Sequence, residues 1–244
     1  MMHSSLGMRM KEYEKNSATE KGVNIIRLDG RAFHTWTKKV LRHKTPFSYV
    51  VHDCMTHATE ALASEMQGFK LAYTQSDEAT LLMENLGERT EAWFGGKTQK
   101  IASIAASIFT YAFNSRYNYY VDTLGYADIP AYFDARVHSI PVEDAPNNFV
   151  WRQKDWQRNS IQMLGQFHLG QSVMNGLSNQ QVINDLNFHG IYWDYLDEWK
   201  KYGTFIGRNH LDPKENRRFV TFSDYLSYKD VAIHADIHNY IDWD

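Results

Sequence analysis

The amino-acid sequence predicts an α+β fold of the ferredoxin-like type, with a βαββαβ antiparallel sheet and its helices on one face. Apolar strand-like runs and amphipathic helix-like runs follow one another in that order over residues 24–141. Two of the strands flank an acidic turn, QSDE at 75–78. A right-handed crossover makes the first two strands parallel, so the third strand runs antiparallel between them.

The first three elements of this order have clear ends. NIIRLDG, residues 24–30, is a strand-like run that ends in Asp-Gly, where glycine permits a tight turn. From Pro46 onwards, apolar residues recur at amphipathic helical spacing as far as Gly68, which we expect to end the helix. FKLAY, residues 69–73, follows as the second strand.

The second half of the predicted sheet begins with a hairpin. ATLLM, residues 79–83, pairs with the preceding strand across the acidic turn. A polar connection then leads into a second amphipathic helix. Its apolar positions are Ile101, Ile104, Ala105, Ile108 and Ala112. ARVHSIP, residues 135–141, supplies the fourth strand.

The pattern changes after Pro141, and this change divides the chain. We place a catalytic core in residues 1–145 and a long helix with a C-terminal extension in residues 146–244. Apolar positions of the long helix are Trp156, Ile161, Leu164 and His168. The rest of the extension is rich in aromatic residues and broken by turns, and we expect it to pack onto the core as part of one structural unit.

Composition limits the class of protein. The chain has 244 residues, of which 43% are hydrophobic, enough for a sizeable core. No apolar run approaches the length of a membrane span, and the first residues lack the apolar core of a signal peptide. The single cysteine, Cys54, excludes an internal disulfide. We therefore expect a cytoplasmic protein without a membrane partner.

Charge is unevenly distributed along the chain. A net charge of −3 excludes a strongly basic nucleic-acid clamp. Between Arg27 and Lys44, however, six Lys or Arg residues stand against one acidic residue, and such a patch attracts phosphates. We expect Lys38, Lys39 and Arg42 to contribute to an RNA-binding surface. A solvated charged face is the alternative interpretation.

The strand order brings acidic residues together. Asp29, at the end of the first strand, lies at the same sheet edge as Asp77 and Glu78 at the hairpin tip. Mg²⁺ is bound by one or two carboxylates together with substrate phosphates, so Asp29, Asp77 and the Gly30 carbonyl are candidate ligands. Two such ions suit phosphoryl or nucleotidyl transfer. An ordinary Asp-Gly turn and an ordinary acidic hairpin fit the spacing equally well.

Other motifs are weaker. HADIH, residues 234–238, has the helical histidine spacing of a Zn²⁺ site, but it lacks a third ligand. FGGK, residues 94–97, precedes the second helix and could offer backbone N–H groups to a phosphate, although most such segments are ordinary loops.

Several segments together resemble the tRNA-His guanylyltransferase family, whose members have a polymerase-like palm and add nucleotides in the 3′-to-5′ direction. The resemblance runs in order over about residues 24 to 160, with a weaker match at KKYGTFIGR, residues 200–208. The matching segments are RLDGRAFHTW, the lysine that follows it at position 44, YTQSDEATLL, WF with Lys100, FDARVHSIP and WRQKD.

The resemblance implies roles for individual residues. Asp29, Asp77 and the Gly30 carbonyl correspond to the ligands of two Mg²⁺ ions, and Glu78 corresponds to a neighbouring catalytic acid. Residues implied to contact nucleotide phosphates are Arg31, His34, Lys44, Ser76 and Lys100. Residues implied to contact RNA or nucleotide are Arg136, Arg152 and Asn159. The implied substrates are ATP, GTP and other nucleoside triphosphates, and the implied assembly is a homotetramer built as a dimer of dimers.

One departure from the family pattern bears on the substrate. Eukaryotic members carry His-Ile-Asn-Asn-Leu-Tyr-Asn-Thr where this chain has QRNSIQML, residues 157–164, which keeps only Asn159. This version resembles the guanylyltransferase-like proteins that repair tRNA with an incomplete 5′ end under the direction of a template. Non-templated G addition to tRNA-His, a nucleotidyl cyclase-like palm and a catalytically inactive RNA-binding module remain alternatives.

Overall fold

A six-stranded antiparallel sheet lies at the centre of the structure, with the spatial order β4-β1-β3-β2-β5-β6. The computed structural model describes residues 5–15, 22–41, 45–85, 91–208, 219–226 and 230–231. The strands are β1 Val23–Gly30, β2 Phe69–Gln75, β3 Glu78–Glu84, β4 Phe133–Ile140, β5 Thr204–Arg208 and β6 Phe219–Phe222.

Helices lie before, between and after these strands. The α-helices are α1 Ser5–Lys15, α2 Phe33–Val40, α3 Tyr49–Glu65, α4 Thr98–Leu124, α5 Ala145–Leu169, α6 Gln171–Met174, α7 Asn179–Phe188 and α8 Glu198–Tyr202. Short 3₁₀ turns occupy Trp93–Gly96, Val142–Asp144 and Trp193–Tyr195. No helix in the described ranges is long and apolar enough to cross a membrane.

The predicted βαββαβ order is confirmed. It consists of β1, α3, β2, β3, α4 and β4, and β3 pairs antiparallel with both β1 and β2. Local signals set the helix ends. The Ser48 hydroxyl accepts a hydrogen bond from the Val51 N–H at the start of α3, and Gly125 ends α4 in a left-handed conformation with φ 63°.

The sheet is covered on both faces. Ile26 and Leu28 of β1 pack into a core with α2, α3 and α4, which is the helical face that the sequence predicts. Val23 and Ile25, on the opposite face, pack with Phe149 of α5. Because side chains alternate along a strand, Asp29 lies on the α5 face together with Val23 and Ile25.

The extension continues the sheet. β5 pairs antiparallel with β2, from Leu71 opposite Gly207 to Thr74 opposite Thr204. Beyond the sheet, the second half of α5 packs with α7 in a separate apolar cluster. Residues at the centre of that cluster include Trp156, Leu164, Val182, Leu186 and Trp193. The sequence predicted the long helix, but it did not predict the remaining elements, which are α1, α2, α6, α7, α8, β5 and β6.

Two histidines are shielded from solvent, His138 almost completely and His52 in part. His138 of β4 is 1% exposed, and neither of its ring nitrogens has a hydrogen-bond partner in the part of the chain that the structure describes. Burial, with a smaller effect of Arg27, lowers the pKa of His138 to about 4. Burial also lowers the pKa of His52, whose ring stacks on Trp199, to about 4. Both rings are therefore held neutral in the folded chain.

These histidines predict a loss of stability in mild acid. Below the ordinary histidine pKa the unfolded chain takes up protons that the folded chain refuses, so the free energy of unfolding falls as the pH drops from about 6.5 to about 4. His138 alone accounts for roughly 3 kcal/mol over that window. Urea unfolding at a series of pH values should show a shallower pH dependence for His138→Leu, whereas His168→Gln, at an exposed position, should match the wild type. If the free energy of unfolding of His138→Leu depended on pH as steeply as that of the wild type, the lowered pKa of His138 would be contradicted.

Candidate active site

Four carboxylate residues meet where β1, β3 and β4 reach the same sheet edge. Asp29 of β1 is directly opposite Glu78 of β3 on one side and Asp134 of β4 on the other. Asp77 occupies the turn between β2 and β3. Strand alternation puts Asp29, Glu78 and Asp134 on the α5 face of the sheet. The residues that the sequence places at one edge are therefore neighbours.

A backbone contact ties the hairpin tip to the end of β1. The Gly30 N–H donates a hydrogen bond to the Asp77 carbonyl at 3.0 Å. A Cβ atom at position 30 would lie 2.5 Å from the Phe33 ring and 3.0 Å from the Asp77 Cβ atom, so only glycine fits there. Ser76 adopts a left-handed conformation, φ 49°, and its hydroxyl donates to Asp77 Oδ1 at 3.0 Å.

The two candidate ligands repel each other. Burial raises the pKa of Asp77 to about 6, and the nearby Asp29 carboxylate adds to the effect. Burial likewise raises the pKa of Asp29, with Asp134 as the next cause. Crowded carboxylates of this kind are stabilised by a proton or a cation. Their oxygen-only donor set, with the Gly30 carbonyl beside it, fits Mg²⁺.

Glu78 has a different environment. Both of its carboxylate oxygens accept hydrogen bonds from Arg152 of α5, at 2.6 and 2.7 Å. The Arg27 Nε atom lies 3.6 Å from Glu78 Oε2. Glu78 and Arg152 are buried, with 9% and 8% of their side chains exposed. The structure thus places Arg152, a predicted RNA or nucleotide contact, in a buried ion pair.

Three predicted phosphate-binding residues lie beside the acidic edge. Arg31 directly follows Gly30, and its N–H donates to the Tyr132 carbonyl at 2.8 Å. His34 is in the first turn of α2, and Ser76 is at the hairpin tip. All three side chains are exposed. Arg136, also exposed, shares the α5 face with Asp134, two residues away on β4.

Two other predicted contacts, Lys100 and Asn159, lie on helices at some distance from the acidic edge. The Lys100 ammonium group is 4.7 Å from the centre of the Phe94 ring, in the first turn of α4. α4 reaches the acidic end of β4 at Thr110, whose hydroxyl accepts a hydrogen bond from the Phe133 N–H. At 1.5 Å per residue, Lys100 is about 15 Å along the helix from that point. Asn159 is half-buried on α5, about two turns beyond Arg152.

Some predicted residues cannot be placed. Lys44 and Arg42 lie outside the described residues, as does the HADIH segment at 234–238. Within the described ranges, no three His, Cys, Asp or Glu side chains are grouped so as to hold a metal ion.

Sequence reasoning missed Asp134. It belongs to the FDARVHSIP segment, in which only the arginine was singled out. The signal was available, because a fourth strand antiparallel to the first must begin at the edge where the first one ends. An acidic residue near its start therefore had to lie close to Asp29.

Comparison with known proteins identifies relatives of this arrangement. Residues 7–141 match the family model described as tRNAHis guanylyltransferase. A mouse protein named probable tRNA(His) guanylyltransferase is 29% identical over 140 residues, which make up 56% of this chain and 44% of the mouse protein. The chain therefore spans less than half of that relative.

Solved structures match over nearly the whole chain. A bacterial tRNA(His) guanylyltransferase-like protein in complex with ATP has 30% sequence identity and a TM-score of 0.79, and the match covers 96% of this chain and 99% of that one. Its complex with GTP gives a TM-score of 0.75 at 29% identity, covering 96% of this chain and 100% of that one. Because the family model covers more than half of the sequence, the chain belongs to the tRNAHis guanylyltransferase family of nucleotidyltransferases.

Proposed function

We propose that this protein adds nucleotides to the 5′ end of tRNA in the 3′-to-5′ direction under the direction of a template, and so repairs tRNA with an incomplete 5′ end. The observation that carries the proposal is the meeting of Asp29 and Asp77 at one sheet edge, tied by the hydrogen bond from Gly30 to Asp77. The bacterial structures bound to ATP and GTP support nucleoside triphosphates as substrates.

Two Mg²⁺ ions would be held by Asp29, Asp77 and the Gly30 carbonyl. Burial, with a smaller effect of the nearby Asp29 carboxylate, raises the pKa of Asp77 to about 6, and this supports a cation site, because a bound cation stabilises the charged form of both carboxylates. When bound, the ions supply neutralisation of the phosphates and activation of the attacking hydroxyl.

The surrounding residues orient the substrates. Arg31, His34 and Ser76 are exposed beside the edge, where they can donate hydrogen bonds to triphosphate oxygens. Lys44 and Lys100 are further proposed phosphate contacts. The 3′-hydroxyl of the incoming nucleotide loses its proton and attacks the activated 5′-phosphate of the RNA. A new phosphodiester bond forms as pyrophosphate leaves a 5′-triphosphate end, or as AMP leaves an end previously activated by ATP.

The QRNSIQML segment of α5 supports the templated reaction. Ser160 stands where the eukaryotic pattern has its second asparagine. Its hydroxyl donates to the Lys200 carbonyl at 2.7 Å and accepts from Trp193 Nε1 at 2.9 Å, so it is occupied within the protein. Ile161 and Leu164 are buried. This chain thus uses the segment for internal packing. By the family resemblance, the corresponding segment of eukaryotic members handles tRNA-His.

Non-templated G addition to tRNA-His is the second candidate. The description of the family model and the name of the mouse relative both favour it. The two reactions differ in whether the base opposite the truncated end determines the added nucleotide.

A homotetramer is the proposed assembly. Residues 159–193 contain a single charged residue, Asp185, and Phe188 of the same region is 86% exposed. Tyr195, just beyond, is 84% exposed. Interfaces between subunits are depleted of charge and enriched in aromatic residues, so this part of the extension suits a contact between copies of the chain.

Extension of truncated tRNA tests the reaction. We expect a tRNA lacking its first nucleotide, offered with a 5′-monophosphate or a 5′-triphosphate, to gain the nucleotide complementary to the opposing base. Changing that base should change the nucleotide added, as resolved at single-nucleotide length with Mg²⁺ and each nucleotide in turn. Addition of G to tRNA-His whatever the opposing base would establish the second candidate, and no addition to any end would favour an RNA-binding module.

Substitution of the carboxylates tests the site. Asp29→Asn and Asp77→Asn should each lower the rate of nucleotide addition by about a thousandfold, because each removes a charged ligand at the reacting phosphates. Their melting temperatures should equal or exceed that of the wild type, since the change removes a repulsion between neighbours. Asp122→Asn, on the exposed surface of α4, is the matched control and should keep full activity. Turnover near the wild-type rate in either site variant would contradict the assignment.

The salt dependence of RNA binding tests the basic patch. Lys38 and Lys39 are exposed in the last turn of α2, and their replacement by alanine should weaken tRNA binding. The slope of log K against log salt should become shallower by about one to two units. Lys200→Ala is the control, because that ammonium group is paired with Asp197 at 2.6 Å. An unchanged slope in the double variant would remove α2 from the RNA surface.

A further inference from the structure

A buried ion pair lies directly behind the acidic edge. The Arg152 Nε and Nη2 atoms donate to the two oxygens of Glu78 at 2.6 and 2.7 Å. Arg152 Nη1 lies 3.3 Å from Asp155, and its guanidinium carbon is 4.8 Å from the centre of the Trp151 ring. Two-point contact with a carboxylate fixes both groups in orientation as well as in distance.

Because of the position of Glu78, the ion pair affects the neighbouring carboxylates. Glu78 immediately follows Asp77 and is the residue opposite Asp29 in the β1–β3 ladder. It is therefore adjacent to both carboxylates proposed as metal ligands. A third free carboxylate there could bind the metal as an additional ligand, or add a full negative charge to a site where the first two already repel.

We infer that Arg152 is a positioning residue for the metal site: it holds Glu78 outside the ligand set and cancels its charge, so that Glu78 adds neither a ligand nor a net charge to the site of Asp29 and Asp77. The inference rests on the proposed function of the acidic edge. A site with two carboxylates binds Mg²⁺ weakly by itself and gains the remaining ligands from nucleotide phosphates. Arg152 thus makes metal binding depend on the nucleotide.

A purely structural role makes a different prediction. If the ion pair served only to fasten α5 to the sheet, loss of either partner would loosen the same contact and shift metal affinity in the same direction. If Arg152 positions Glu78, loss of Arg152 and loss of Glu78 shift the metal affinity in opposite directions. Removing the charge of Arg152 leaves the edge more negative by one unit, whereas removing the charge of Glu78 leaves it more positive by one unit.

Mn²⁺ binding to the full chain, without nucleotide or RNA, separates these roles. Free Mn²⁺ would be counted by electron paramagnetic resonance for the wild type, Arg152→Gln, Glu78→Gln and the double variant. We expect Arg152→Gln to bind Mn²⁺ about tenfold more tightly and Glu78→Gln about tenfold more weakly, the effect of one unit charge on a nearby divalent ion when water screens most of the interaction. The double variant, which restores neutrality, should bind within about twofold of the wild type, since no net charge has changed.

The outcomes that overturn the inference are distinct. Shifts of both single variants in one direction, or no shift in either, would assign the pair a structural role. Weak binding by the double variant would make Glu78 itself a ligand. Because Arg152→Gln leaves the buried Glu78 carboxylate with only the more distant Arg27 as a charged partner and can prevent folding, the double variant, whose two amides are uncharged, decides the question in that case.

The same measurement on Asp77→Asn separates this inference from the proposed function. Loss of Mn²⁺ binding in Asp77→Asn, with no effect of the Arg152 and Glu78 variants, would overturn the positioning role and keep the metal site. Unchanged binding in Asp77→Asn would overturn the metal site and, with it, the role of Arg152.

Discussion

The hydrogen bond from the Gly30 N–H to the Asp77 carbonyl is the contact on which the candidate site depends. It joins the end of one strand to the tip of a hairpin more than forty residues away in sequence. The two carboxylates it brings together repel each other, so the side chains themselves oppose the arrangement. What holds them is the backbone: the β1–β3 ladder from Val23 and Glu84 to Asp29 and Glu78, and a position 30 that admits only glycine. The acidic edge is thus destabilised by repulsion between carboxylates and stabilised by the backbone pairing of the sheet.

The α5 face of the sheet is apolar along part of β1 and charged at the end of that strand. The residues of α5 change from apolar to charged over the same distance. Along β1 the face is apolar at Val23 and Ile25, where Phe149 packs, and charged at Asp29. Arg152 lies one helical turn beyond Phe149 and meets Glu78 at the charged end. One turn of a single helix therefore completes a hydrophobic core and neutralises a buried carboxylate.

The order of the palm and the proximity of Asp29 to Asp77 could be predicted because both follow from local rules. Strand alternation decides which face of the sheet a side chain is on. The handedness of the crossover and a two-residue turn decide at which edge of the sheet each strand ends. The partnership of β5 with β2 could not be predicted, since it joins residues about 130 positions apart, and a five-residue strand carries no local sign of its partner. The Glu78–Arg152 pair depends likewise on how α5 crosses the sheet. His138, a polar residue in an apolar setting, contradicts the rule that sequence reasoning uses to assign burial.

α5 is divided between two apolar clusters. Its first half contacts the palm through Phe149 and Arg152, and its second half packs with α7 around Trp156 and Leu164. The segment that departs from the eukaryotic pattern, residues 157–164, begins about one and a half turns beyond Arg152, the partner of Glu78. Because this segment packs with α7, substitutions there should leave the geometry of the carboxylate edge, which the sheet secures, unchanged.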